Sequence, residues 1–235
     1  NLIDSIYSNQ KCKSVIIPGI GGASVSIFDP AIIIPSNSKC IPCVYHNSQR
    51  NSDGSQYDFL CSVYFKKIVG LFPYVRTFRQ SNKKSPIIIF LDKFGFINTK
   101  QEDKIALRNC GVTIINIGHV KSHLRGYQII RLIYFNDFLT TCKLYFKRCI
   151  FTDGFDVFFQ GDPFTTELLE NNIYLTRENE TNNFINKSYA SKFPDTYKII
   201  CSQNIINCGI FAGGTQIMSN FFKMYLQMFP GIIAI

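Results

Sequence analysis

Four short apolar runs constrain this chain most: Phe59 to Phe65 (FLCSVYF), Ile87 to Asp92 (IIIFLD), Thr113 to Ile117 (TIINI) and Cys149 to Phe151 (CIF). Each is nearly continuous instead of alternating with polar residues, so each reads as a strand covered on both faces. Helical signals fill the gaps. Lys67 to Gln80 holds a helix broken or started near Pro73. Thr99, with Glu102 three residues on, predicts a capping box for TKQEDKIALRN, and Gly111 ends that helix. His123 to Lys147 sets Tyr127, Ile130, Tyr134, Phe138 and Tyr145 at near-helical spacing. Strand and helix in alternation predict a Rossmann-like α/β fold: a mostly parallel sheet, right-handed crossovers, helices on both faces.

The fourth run leads into the densest chemistry. Asp153 and Asp156 leave the strand three residues apart across a turn containing Gly154, so two carboxylates converge at a strand's carboxyl end. In an open parallel sheet that edge is where ligands bind, and Ser62 to Phe65 and Asp92 are expected to border the same crevice. Asp162-Pro163 reads as the cap and first turn of a helix over Pro163 to Asn172. A strand over Ile173 to Asn179 follows. NCGIFAGG, Asn207 to Gly214, then combines a strand-like core with glycines at both ends, before a helix from Thr215 to Phe229.

Together, FTDGFDVFFQGDPF and NCGIFAGG resemble the nucleotide-diphospho-sugar transferases of the GT-A fold, whose acidic motif ends a strand and precedes a glycine-containing segment. The resemblance covers Tyr57 to the C-terminus, with the acids spaced DxxD. It implies a glycosyltransferase that moves a sugar from a nucleoside-diphosphate donor, UDP by family habit, to an acceptor hydroxyl. It also implies Mn²⁺ or Mg²⁺ on Asp156 and Asp153, with Asp156 the first choice, and places Asn207, Gly213 and Gly214 along the donor. Ser62 and Tyr64 join the donor set from their strand end. Arg131, mid-helix on an apolar stretch, is expected either to pair internally, with Asp137 or the acidic turn, or to fork onto the diphosphate. Glu178 is the candidate catalytic residue, and the acceptor stays open among glycan, protein and lipid. Two rivals stand beside this reading. An aspartate-nucleophile phosphatase wants its acids two apart, not three; a degenerate, binding-only relative keeps the fold and loses the turnover.

Composition narrows the rest. A chain of 235 residues with 46% hydrophobic content suffices for one α/β domain. Residues 57–235 are expected to form it, and residues 1–56 an appendage. That appendage holds Val15-Ile16-Ile17 and Ile32-Ile33-Ile34, each closed by proline, and a Gly19 to Ser24 turn that lacks a phosphate lysine. Starting on Asn1 and stopping at GIIAI, the chain reads as a fragment truncated at its C-terminus. A formal charge of +9 favours anionic ligands. The basic residues are scattered in pairs, which argues against nucleic acid. No run of eighteen apolar residues occurs, so a membrane is expected only through an anchor outside the sequence. Nine cysteines are an odd number. Cys61 and Cys149 read as small buried hydrophobes, Cys40-Ile-Pro-Cys43 as a lone pair without a zinc partner. Sequons at Asn179 and Asn186 fit a secretory-pathway lumen, Golgi or ER.

Overall fold

A computed structural model describes residues 16–17, 26–27, 40–42, 53–120, 126–142, 146–177, 191, 194–195 and 206–227. Two short strands, β1 (Ile16–Ile17) and β2 (Ser26–Ile27), pair antiparallel. The main chain path is then β3 (Asp58–Tyr64), α1 (Leu71–Ser81), β4 (Ile87–Leu91), α2 (Lys93–Asn98), α3 (Gln101–Asn109), β5 (Val112–Asn116), α4 (Gly126–Cys142), β6 (Arg148–Thr152), β7 (Ile173–Arg177), β8 (Ile206–Gly214) and α5 (Thr215–Gln227). Six strands form one sheet in the order β5-β4-β3-β6-β8-β7. The β5-β4-β3-β6 block is parallel throughout. β8 is antiparallel to both β6 and β7, so the expected parallel sheet holds for four strands and reverses at the fifth position.

Each strand of the block is covered on both faces, as the unbroken apolar runs require. On β3, Phe59, Cys61 and Val63 enter one core with Phe135 and Phe138 of α4 and Phe222 of α5, while Leu60 and Tyr64 enter the other with Tyr74, Val75 and Phe78 of α1. The first core is an aromatic stack: Phe135 lies 4.4 Å from Phe151, and Phe59 lies 4.7 Å from Phe146. Cys61 and Cys149 are free and buried in it, and burial pushes both thiols up.

Three local expectations need correcting. Asp92 does not merely close β4: its carboxylate accepts the Gly95 N–H at 2.7 Å and caps α2, a helix with no clear periodic signal in six residues. Thr99 is not the cap of α3. Its hydroxyl donates backward to Gly95 O at 2.6 Å, and α3 starts one residue later behind Lys100 without a side-chain cap. Residues 163–172 form turns, not a helix. Asp162, 3% exposed, accepts from Phe164 N, Gly54 N and Asn82 Nδ2, each at 3.0 Å, so it joins three segments instead of capping one. The Arg148 guanidinium meanwhile takes Thr165 O and Leu168 O, carbonyls that a helix would have used.

The segment before β3 is tied to this body. Cys40 forms a disulfide with Cys110 at a sequence separation of 70, and Arg76 Nε donates to Ile41 O at 2.7 Å. Closing a loop of that length stabilises by about 4 kcal/mol through the unfolded chain. A cavity of ≈ 210 Å³ lies beneath this strap, lined by Phe72 and Val75 of α1 and Ala106 and Leu107 of α3. It stands on the helical layer, apart from the acidic turn.

Candidate functional site at the carboxyl edge

The strand order reverses at the β3–β6 pair, where chain direction out of the sheet splits to opposite faces. In doubly wound sheets the crevice opens there. β6 ends on Thr152, and the next residues are the acidic turn, so Asp153 and Asp156 stand at that reversal. The sequence placed them correctly.

The turn is held from beneath by buried polar side chains. Ser62 Oγ donates to Thr152 O at 2.9 Å, and the Tyr74 and Thr152 hydroxyls share a hydrogen bond of 2.7 Å. The Tyr64 hydroxyl donates to Gly154 O. Burial pushes the Tyr64 phenol far up, with the charge of Asp156 adding to the effect, so it stays a protonated donor. A Cβ on Gly154 would fall 2.1 Å from that ring; Gly154 has no left-handed φ, and close approach to Tyr64 is what requires a glycine. Ser62 and Tyr64 are both 0% exposed. They were expected along the donor, and in this structure they position the turn instead.

Arg131 makes the internal pair with the acidic turn, the first of its expected roles. It lies in the first half of α4, 4% exposed, and its guanidinium pairs with Asp153 Oδ1. The side chains are 5% and 40% exposed, so a buried cation anchors a half-open carboxylate whose other oxygen lies beside Gly209 of β8. Asp137, on the same helix, has its carboxyl pushed up to about 6 by burial, against a lowering by its bond from Asn136.

β8 completes the site with an irregularity. Leu175 pairs with Phe211 but the next residue, Thr176, pairs with Asn207, so β8 bulges between them. The β6–β8 register continues unbroken past Thr152, Gly209 O accepting the Asp153 N–H at 2.7 Å, and within the bulge the Asn207 carboxamide oxygen accepts the Gly209 N–H. A Cβ on Gly209 would stand 2.9 Å from Asp153 Oδ2 and 2.6 Å from Asn207 Oδ1. Bulges beside functional sites commonly re-aim a side chain, as Asn207 is aimed here. Glycine inside a strand pattern was the available signal, and attention to Gly213 and Gly214 missed it.

Those two glycines lie elsewhere. Gly213 is registered on Cys149 and Gly214 on Arg148, at the opposite end of β6 from the acids. Cβ atoms there would meet Asn172 O at 2.2 Å and Glu170 O at 1.6 Å, so both glycines admit the 170–172 turn against the sheet. Glu178, Arg125, His46, His123, Cys43, the Gly19 to Ser24 turn and both sequons lie outside the described residues.

The loop after β3 closes the near side. Lys66 adopts a left-handed φ of 65°, and its N–H donates to Asp92 Oδ1 at 2.8 Å. Gly70, at φ 81°, precedes α1, and a Cβ there would stand 2.5 Å from Phe155 O. Loop and acidic turn are thus in direct contact.

Among the described residues no three His, Cys, Asp or Glu side chains form a metal-binding group. Mg²⁺ or Mn²⁺ on a diphosphate needs only one or two carboxylates, with phosphate oxygens and water completing the shell. The carboxylates of Asp156, exposed, and Asp153, 40% exposed, are hard donors that fit that requirement. The sequence matches no protein family and no curated protein.

Proposed function

We propose that the carboxyl edge binds a nucleoside-diphosphate sugar and that the protein transfers the sugar to an acceptor hydroxyl, in the manner of GT-A glycosyltransferases. The observation that carries this reading is the acidic turn itself: an Arg131-anchored Asp153 and an exposed Asp156 at the strand-order reversal, with Asn207 brought alongside by the β8 bulge. A fixed carboxylate at this position suits ribose or sugar hydroxyls, which donate to it. Asp156, exposed at the mouth, is the residue to hold Mn²⁺ or Mg²⁺, with Asp153 second. The cation, when bound, neutralises charge growing on the nucleoside-diphosphate leaving group.

The residues below the turn supply preorganisation. Ser62 and Tyr64 fix the backbone carbonyls of Thr152 and Gly154, and Tyr74 the Thr152 hydroxyl, so the carboxylates need not reorganise on binding. The donor set we propose omits Gly213 and Gly214, which admit the 170–172 turn at the other end of β6. The Cys40–Cys110 disulfide supports a secretory-pathway lumen, where oxidising conditions keep such bonds.

The direct test is turnover of a panel of UDP- and GDP-sugars with Mn²⁺, followed as nucleotide release. The proposal expects release from at least one donor and its loss in Asp156→Asn. Metal-bound donor without turnover on any acceptor class would favour the binding-only relative.

A further inference from the structure

Three adjacent strands each end in exposed apolar side chains at the same edge. After β4, Phe94 and Ile97 are 47% and 63% exposed; after β3, Val69 is 62% exposed; after β6, Phe155 is 46% exposed. In the sheet these strands run β4-β3-β6, so the four side chains follow one rim, about 10 Å from first strand to last. Contacts between the segments make the rim continuous. Lys66 N bonds to Asp92, Lys93 N donates to Gly118 O at 2.6 Å, Phe94 packs edge-on to His119 at 5.4 Å, and Phe155 stacks 5.3 Å from Tyr64 beside Gly70. Phe94 and Ile97, three apart on α2, share a helix face.

Charge on the rim is cationic. Lys66, Lys67 and Lys93 are exposed among these apolar groups, and Asp92 is 2% exposed with its carboxylate turned to backbone N–H groups. Asp156 is the exposed acid of the crevice beside them. A glycan platform presents aromatic faces with carboxylate or amide partners for hydroxyls. Aliphatic Val69 and Ile97 interleaved with lysines instead fit the headgroup boundary of an anionic bilayer, where apolar side chains enter the acyl region and lysines stay at the phosphates.

We infer that this rim docks the protein on an anionic membrane surface, with the acidic crevice facing the bilayer. No described helix is long and apolar enough to cross a membrane, and this attachment requires none. The net charge of +9 acts in the same direction. The inference stands on the rim alone: anionic lipid lies chiefly on cytoplasmic leaflets, so it requires neither the sugar-transfer reading nor the luminal one.

Flotation with vesicles of phosphatidylcholine alone, or with phosphatidylserine added, tests it. The protein should float with the phosphatidylserine vesicles, at least tenfold more tightly than with phosphatidylcholine alone, and release as salt rises. Lys67→Glu with Lys93→Glu should weaken binding on the order of thirtyfold, at about 1 kcal/mol per lysine. Phe94→Ser with Ile97→Ser should weaken it on the order of tenfold with the salt dependence kept. Both double variants change exposed side chains, and equal thermal melts confirm their folding. Equal binding to both vesicles, no binding, or binding indifferent to either double variant would overturn the inference. Self-association through the rim without vesicle binding would overturn it too, marking a protein interface.

Discussion

Two arginine–aspartate pairs sit at opposite ends of β6, and they differ in what is left over. Arg148 forks onto Asp58 at 2.8 and 2.9 Å, and Asp58 also accepts from Ser55 N and Oγ at 2.7 and 2.8 Å. The remaining guanidinium hydrogens go to Thr165 O, Leu168 O and Asp53 O. Asp58 is 1% exposed, and the bond to it raises the Arg148 pKa. Arg131–Asp153 is the converse: the arginine is buried and the acid 40% open. A saturated pair holds segments together; a half-open pair holds a carboxylate out for something else.

Breaking the closed pair should cost most. Asp58→Ala leaves Arg148 without its counter-charge beneath four segments, and unfolding in urea should show a loss of about 3–5 kcal/mol. Asp162→Ala, at the same end of the sheet, should cost on the order of 2–3 kcal/mol, because it strands the Gly54 and Phe164 N–H groups and Asn82. A simple helix cap would cost about 1 kcal/mol, so the size of the loss separates the two accounts.

The pair's neighbour on α4 adds a pH dependence. Asp137 has a folded pKa of about 6 against 3.8 unfolded, so the folded state binds more protons between those values. The contribution of Asp137 to stability is therefore fullest below pH 4 and is lost as pH rises through about 6. Asp137→Asn should flatten that dependence, which amounts to about 3 kcal/mol in melts across the range.

At the open end, Gly154→Ala forces a methyl against the Tyr64 ring and should cost about 1–3 kcal/mol, with the acidic turn displaced. Asp156→Asn should leave stability within about 0.5 kcal/mol, as an exposed side chain does. Equal stability losses at the two ends of β6 would remove the distinction drawn between them.

The four parallel strands and the position of the acids were legible because buried strands announce themselves as unbroken apolar runs, and an acid after such a run can only emerge at the sheet edge. What was not legible depends on partners far away in sequence. Asp162 reads as a cap until Gly54 and Asn82 are brought to it, and Thr99 reads as an N-cap until its hydroxyl finds Gly95 O behind it. Tyr64 and Gly154 are 90 residues apart, and only the parallel pairing of β3 with β6 shows why one needs the other to be glycine. Register likewise separates Asn207 from Gly213 and Gly214: one short segment spans the whole strand, so its two ends serve opposite edges.

Calorimetric titration of UDP, with Mn²⁺ and in excess chelator, on the wild-type chain and Asp156→Asn, tests the open end most directly. Coupled binding is expected: UDP and Mn²⁺ each strengthen the other in the wild type, by the same factor from either side, and the coupling disappears in Asp156→Asn while its melt is unchanged. Equal UDP affinity in metal and chelator, or full coupling retained in Asp156→Asn, would contradict the assignment of this turn as a metal-assisted nucleotide site.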